Sequence, residues 1–590
     1  MVSANGILAF TRGTQINMTQ QSHATGRLVK ITYRRTNLSV FSSIVFALLP
    51  LTMSAAGFLH TQAQDIVDEH GSKIMLRGVG LGNWLLPEGY MWKFGGAGDR
   101  PRKIEKIVSD LAGPEYARHF WTEYRKNYVT ENDIRRIAEL GYNSVRPALN
   151  ARLFLTEGDN PVYVDEGFET LDNLVKWSKK YGIYVILDMH GAPGGQTGQN
   201  IDDSATDQPE LFMDKKHQDR LLNLWVKIAS RYKDEPAVAG YDLLNEPLPE
   251  RTGAAPKYKQ QLEPLYQRLT EAVRTVDQKH MIIVEGADWA NDWSVFSKPF
   301  DDNMVYQFHY YCWGQPVVLK SIQQYLNYQK RFNAPVWVGE TGEANDAIYW
   351  GTTEYFEASN IGWSFWPWKK MDAYNGPYSI QPPKNWKAVR AYTDGDAKPS
   401  MDVAQKTFDE LLQNIQLQNC TFRTDVVNAM FRQIPGKVAA KNYGQQGLNK
   451  SYSVKDPTKH SQYYRTAEPV PIIADGTERQ NPAQVVQLGA GEWTAYTINC
   501  KTPNDSYETI VRAKADGAAA GAQLIIDDLS CDVNISTNAW SEINLGTHTL
   551  ASGQHRLRWL VKRGTVQLDW LEFRLKQKSQ LSAQVGAVPK

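Results

Sequence analysis

Val238-Ala239-Gly240-Tyr241-Asp242-Leu243-Leu244 runs directly into Asn245-Glu246-Pro247, so an apolar β-type segment ends on a carboxylate. Pro247 then stops it, because proline has no amide proton with which to continue a ladder. A second segment is built the same way. Pro335-Val336-Trp337-Val338 is β-branched and aromatic, and it hands over through Gly339 to Glu340, Thr341 and Gly342. Both glutamates are thereby presented at carboxyl-terminal strand ends.

Working outward, six more runs of this kind appear, each separated from the next by a helix-length amphipathic stretch. In order, the eight are Met75–Gly80, Asn143–Pro147, Tyr184–Met189, Val238–Leu244, Met281–Val284, Met304–Phe308, Val336–Val338 and Gly362–Phe365. The intervening helices are legible: in Glu131–Leu140 the residues Ile134, Ile137 and Ala138 share a face, and Gly141 ends it. Leu171–Tyr181 and Gln218–Tyr232 behave alike. Repeated βα units of this number predict an α/β fold, a (β/α)8 barrel, with Glu246 after strand four and Glu340 after strand seven.

In such a barrel the site is built at the carboxyl ends of the strands. That rule selects Asn83 and Trp84, Arg146, His190, Asn245 and Glu246, His309 and Tyr311, Glu340, and Trp366. Carboxylates, imidazoles, one arginine and aromatics together suit a neutral polyhydroxylated substrate. Glu88, Glu285 and Glu343 also fall near strand ends and read as exposed or structural carboxylates. Arg146 has the alternative reading of a core ion-pair partner, and His190 and His309 that of satisfied histidines under the barrel mouth.

Asp242-Leu243-Leu244-Asn245-Glu246-Pro247, His309-Tyr310-Tyr311, Gly339-Glu340 and Trp363-Ser364-Phe365-Trp366 resemble glycoside hydrolase family five, the cellulase and β-glucanase family, over about residues 65–400. Leu76-Arg77-Gly78-Val79-Gly80-Leu81-Gly82-Asn83-Trp84-Leu85 and Leu187-Asp188-Met189-His190-Gly191-Ala192-Pro193-Gly194-Gly195-Gln196 are most similar to its exo-β-1,3-glucanase branch. The resemblance implies a retaining double displacement with Glu340 as nucleophile and Glu246 as general acid/base. In a retaining enzyme the two carboxyl groups lie about 5–5.5 Å apart, so an ionised Glu340 favours the proton on Glu246. Arg146 and Tyr311 match the positions that support the nucleophile, Asn245 fits a donor to the sugar 2-hydroxyl, and His190 and His309 bind hydroxyls or steady the carboxylates. Trp366 is either a floor for a sugar ring or a large core residue, and we read it as the floor. Trp84, Trp92, Trp289, Trp293, Trp313 and Trp368 are candidates for further subsites. A β-mannan-active hydrolase or a transglycosylase would use the same residues, and a non-catalytic glycan-binding envelope protein is the alternative of another class.

No cofactor is expected. His190, His309 and Asp188 lack the spacing of a metal site, and Gly191-Ala192-Pro193-Gly194-Gly195 precedes a polar loop and does not open a helix, which argues against phosphate or dinucleotide binding. The chain of 590 residues has net charge +1, 42% hydrophobic residues and eighteen tryptophans. These values leave room for more than one core and carry no basic stripe for nucleic acid. The expected partner is a β-glucan, and the expected state a monomer. Lys30, Arg34 and Arg35 precede the apolar stretch Val40–Leu51, which reads as a secretory signal too short for a stable membrane span. It implies a secreted, periplasmic or envelope enzyme with a leader over 1–63 and a mature start near Gln64. Of the four cysteines, Cys500 and Cys531 are the expected disulfide pair, and Cys312 a buried thiol.

The barrel is expected over 64–400, a helical extension and linker over 401–433, and a tail from 577. Between them, 434–576 changes to short alternating strands with turn residues, such as Thr509–Lys514, Ala522–Asp527, His555–Leu560 and Val566–Phe573. That pattern predicts an all-β jelly-roll sandwich. Ile434-Pro435-Gly436, Tyr464-Arg465, Gly491-Glu492-Trp493, Asn538-Ala539-Trp540 and Leu568-Asp569-Trp570 resemble a family-six carbohydrate-binding module. By that resemblance Tyr464 and Trp540 sandwich a sugar and Gln567 takes the place of a ligand-contacting asparagine. Ala439 and Lys441 stand where the family has a calcium-holding acidic pair.

Overall fold

Eight parallel strands close on themselves in chain order: β1 (Arg77–Leu81), β2 (Ser144–Asn150), β3 (Tyr184–Gly191), β4 (Val238–Asp242), β5 (Met281–Glu285), β6 (Met304–His309), β7 (Val336–Gly342) and β8 (Gly362–Trp366), which pairs back with β1. The computed structural model describes residues 57–577 apart from 462–463, 476–482 and 537. The strands are buried along nearly their whole length, as parallel strands covered by helices on the outside must be. Seven of the eight strands run further at their carboxyl ends than their apolar runs suggest, and β4 stops two residues short of its run. β7 continues through Glu340 to Gly342, so Glu340 lies within the strand, whereas Glu246 lies four residues past the end of β4.

β7 carries a bulge at Gly339: Phe308 pairs with Val338 and His309 with Glu340. The extra residue must be glycine, because the Gln307 side chain crosses there and a Cβ would lie 2.2 Å from its amide.

The amino-terminal mouth of the barrel is plugged. Strand His60–Gln62 pairs antiparallel with Asp65–Val67, and Leu59 and Ile66 pack with the inward residues Ile186, Ala239, Ile283, Val305 and Trp337. The boundary expected at 63/64 therefore falls inside a hairpin, since Leu59 is 1% exposed. The rest of the expected leader, 1–56, lies outside the described residues, as does the tail from 578. Among the described residues no helix is long and apolar enough to cross a membrane.

Residues 401–433 are not a free linker. Helix Met401–Asn414 packs on helix Pro114–Tyr128, with the Phe408 and Phe120 rings 5.3 Å apart, and helix Thr424–Met430 buries Val426, Val427 and Met430. Two sheets follow. In one, β12 (Trp493–Cys500), β17 (Gly553–Arg563), β14 (Ala520–Ile526) and β15 (Leu529–Ile535) lie side by side in that order. The other is ordered β10 (Ile472–Asp475), β11 (Ala483–Gly489), β18 (Thr565–Gln577), β13 (Asp505–Ala515) and β16 (Ser541–Leu550), with β9 (Gly436–Ala439) alongside β18. Their facing sides form the second core. Trp350, on helix Asp346–Ala358 of the barrel, is buried in that core, and Arg432 reaches back to Glu357 at 2.6 Å.

All four cysteines are free thiols, which corrects the expected Cys500–Cys531 bridge. β12 and β15 are three strands apart in one sheet, on the order of 14 Å, far beyond the reach of a disulfide. Cys500 Sγ instead meets the Thr502 carbonyl at 3.2 Å, and Cys531 Sγ lies 3.2 Å from His548 Nε2. Denatured, unreduced protein will accordingly titrate four thiols with a chromogenic disulfide reagent. Trp350→Ala will destabilise the protein by about 3–5 kcal/mol in guanidinium unfolding, the range for emptying a large aromatic from a core.

Candidate active site

Parallel closure brings every carboxyl strand end to one rim, and a cavity of about 820 Å³ opens there. Beneath it lies Arg146, the third residue of β2, with its side chain fully buried. Its five N–H donors face five acceptors: Nε meets Asp242 Oδ2 at 2.8 Å, Nη1 meets Glu340 Oε1 at 2.7 Å and Asp188 Oδ2 at 3.2 Å, and Nη2 meets Asn245 Oδ1 and Glu285 Oε1, both at 2.9 Å. Burial disfavours a guanidinium, but Asp188, Asp242, Glu340 and Glu285 outweigh it and hold the charge firmly. Both readings of this residue hold at once, since it is a core ion-pair partner and its partners are the site.

More carboxylates gather here than the cations can balance. Burial pushes the Asp188 carboxyl up to about 8 against the pull of Arg146, and it raises Asp242 as well, with Glu285 adding to both. His190, stripped of water, is pushed down to about 4 and is neutral. The tautomer follows from its neighbours. Arg146 takes Asn245 Oδ1, which turns Asn245 Nδ2 toward His190 Nε2 at 3.3 Å, leaving His190 Nδ1–H for Asp188 Oδ2 at 2.8 Å.

Glu246 and Glu340 face one another across His309. Nδ1 of His309 is 2.8 Å from Glu246 Oε1 and 3.6 Å from Glu340 Oε2, and carboxylate oxygens of the two glutamates lie within 4.8 Å. Burial opposes a charge on His309, yet Glu285, Glu340 and Glu246 lift its pKa well above the imidazole range. Glu340 accepts from Tyr311 Oη at 2.7 Å as well as from Arg146. Its carboxyl is still raised, because burial and the nearby Glu246 exceed the help from His309 and Arg146. Glu246, His309 and Glu340 each present a donor atom within 4.8 Å of the others, a spacing compatible with a metal ion that the sequence pattern did not indicate.

Trp366 forms one wall. It stacks on His190 with ring centroids 5.3 Å apart and planes 7° from parallel, and its Nε1 donates to Tyr90 Oη at 3.0 Å. Gly80 and Gly82 make room for it, since a Cβ at either would come within 2.4 Å of the indole. The eight barrel residues Arg146, His190, Asn245, Glu246, His309, Tyr311, Glu340 and Trp366 thus converge. Asn83 instead turns inward to Trp92 Nε1 at 2.8 Å and Tyr128.

Of the six other tryptophans, Trp289 and Trp313 line the cavity, while Trp84, Trp92, Trp293 and Trp368 are each 1% exposed and pack the core. Three residues read as bland belong to the site. Glu88 and Glu343 line the cavity, and Glu285 lies directly under it. Burial, then Glu340 and Glu246, push the Glu88 carboxyl well above its usual range. In the sandwich, Tyr464 is 2% exposed inside the core and closed to a sugar, whereas Trp540 lies under Arg512 and Lys514, and Gln567 pairs with Lys514 on the neighbouring strand.

Residues 109–372 match the profile of the family described as Cellulase (glycosyl hydrolase family 5). The chain is a glycoside hydrolase. This hydrolase is 28% identical to "Beta-xylosidase" of Phanerodontia chrysosporium over 348 residues, covering 53% of this chain and 71% of the relative. It is 27% identical to "Probable glucan 1,3-beta-glucosidase A" of Neosartorya fischeri over 321 residues, 52% of this chain and 71% of the other. "Endoglucanase C" of Acetivibrio thermocellus is 29% identical over 195 residues, 32% of this chain and 53% of the other.

Because the Tyr311 hydroxyl favours the ionised form of Glu340, Tyr311→Phe will raise the Glu340 pKa further. The acid limb of the kcat/KM profile will move to higher pH, and kcat/KM at its optimum will fall about 10- to 100-fold, the worth of one hydrogen bond to a charged group.

Proposed function

We propose that this glycoside hydrolase cleaves β-linked glucans, of β-1,3 or cellulose-like linkage, with retention of anomeric configuration. The observation that carries the reading is the approach of Glu246 and Glu340 oxygens to within 4.8 Å, one carboxylate gripped by Arg146 and Tyr311 and the other resting on His309. That spacing suits direct attack and leaves no room for a water between carboxylate and sugar.

Glu340 attacks the anomeric carbon as Glu246 gives its proton to the departing oxygen, and a glycosyl ester forms on Glu340. Charge on Glu340 is then gone, so Glu246 can take a proton from water, which displaces the sugar and restores both groups. With Asn245 Oδ1 held by Arg146, one Nδ2 proton is spent on His190 and the other is free for the 2-hydroxyl. Trp366 supplies an apolar surface for the ring's C–H face, and the aromatic residues Trp289 and Trp313 extend it outward. Glu88, buried beside Glu340, offers an acceptor for further hydroxyls. The basic and then apolar segment from Lys30 to Leu51 supports export to the envelope or beyond. Trp540 and Gln567 support a glycan contact on the sandwich without Tyr464.

Product analysis on laminarin, lichenan, carboxymethylcellulose and mannan, with proton NMR of the first anomer released, tests this. A β-anomer first, on a glucan, with loss of about four orders of magnitude or more in Glu340→Gln, is the expected result. Glucose alone marks attack from a chain end, and an oligosaccharide ladder internal attack. An α-anomer first, or an active Glu340→Gln, overturns the reading.

A further inference from the structure

Glu285 is the last residue of β5 and is 0% exposed. Four donors converge on its carboxylate. The backbone N–H of Glu246 meets Oε2 at 2.7 Å, while Oε1 takes Arg146 Nη2 at 2.9 Å, Gln307 Nε2, and His309 Nε2 at 3.4 Å. The Tyr266 hydroxyl, 3.0 Å from the Glu285 carbonyl, pins the strand end from behind. Glu246, at the other end of the first of these bonds, has φ +41°, a left-handed conformation that a residue with a side chain holds only where its surroundings over-determine it.

We propose that Glu285 is the positioning residue of Glu246: one oxygen fastens the strained backbone turn, and the other, through His309, aims the Glu246 carboxyl at the glycosidic oxygen. This rests on Glu246 being the acid/base. Buried carboxylates beside Arg146 have two fates in this site. Asp188 and Asp242 are driven toward their protonated forms, but for Glu285 the cost of burial is exceeded by His309, Arg146 and the Glu246 N–H, so it stays ionised. The permanent charge belongs to the carboxylate that touches the Glu246 backbone and, with Glu246 and Glu340 on its other side, keeps His309 protonated. Gln307 serves the same arrangement, bridging Asp242 at 3.0 Å to Glu285 from a path cleared by Gly339.

A general acid matters for a poor leaving group and is dispensable for a good one, which separates positioning of Glu246 from a merely structural role. Glu285→Gln, Gln307→Met and, as reference, Glu246→Gln would be compared with wild type on aryl β-glycosides of the glycan unit that wild type releases. Leaving groups would run from 2,4-dinitrophenol to unactivated phenols, with a pH profile and melting temperature for each variant. For Glu285→Gln, kcat/KM should fall about 100-fold on the poorest leaving group and less than about threefold on dinitrophenol. The basic limb of its profile should move to lower pH, because His309 loses its anionic neighbour. Gln307→Met should show the same slope at about a tenth of the size and carries the test if Glu285→Gln does not fold. Equal loss across the series, or none, overturns the positioning role while Glu246→Gln still shows the slope. If Glu246→Gln shows no slope either, it is the acid/base assignment that fails.

Discussion

One buried guanidinium organises this molecule. A positive charge at the centre of a barrel is tolerable only if opposite charges and acceptors fill every direction in which it can donate, and Arg146 draws them from β3, from β4 and the loop after it, and from β5 and β7. Deleting it would leave several carboxylates facing one another without water. The geometry of the candidate site follows from this electrostatic need: Glu340 and Asn245 are oriented because Arg146 has to be satisfied, so both are in place before any ligand arrives.

Much of this was legible in the chain. Eight apolar runs alternating with amphipathic helices define a closed parallel sheet, and in such a sheet the polar residues that interrupt each run fall on one rim, which is why Arg146, His190, Asn245, Glu246, His309, Tyr311, Glu340 and Trp366 could be gathered from order alone. Other carboxylates near strand ends were read as exposed or structural. Glu88 follows the first run at the near end of a long segment, and nothing in that segment distinguishes a cavity-lining carboxylate from an exposed one. Glu285 does end a run, but a glutamate at a strand end looks alike whether it meets solvent or Glu246. Tryptophans divided the same way: their size says that they are buried somewhere, and only packing separates Trp289 and Trp313 at the cavity from Trp84 and Trp368 in the core. Tyr464 carried a resemblance, yet its ring packs inside the sandwich.

Domain boundaries were the weakest reading, because connection lengths in sequence do not reveal shared cores. Helix Asp346–Ala358 serves the barrel on one side and, through Trp350, the sandwich on the other, while Asn442 Nδ2 caps the Ala347 carbonyl at 2.6 Å. What the composition presents as two modules joined by a linker is one continuous packing arrangement.

The plug at the base of the barrel limits where the chain can be cut without opening the barrel. Leu59 closes the end of the barrel away from the active site, and the Phe58 ring meets His280 edge-on at 5.2 Å. A peptidase that released the enzyme after residue 63 would draw this cork and let water into the inner layer beneath Trp337. Any cut compatible with a dry barrel floor lies upstream of Phe58.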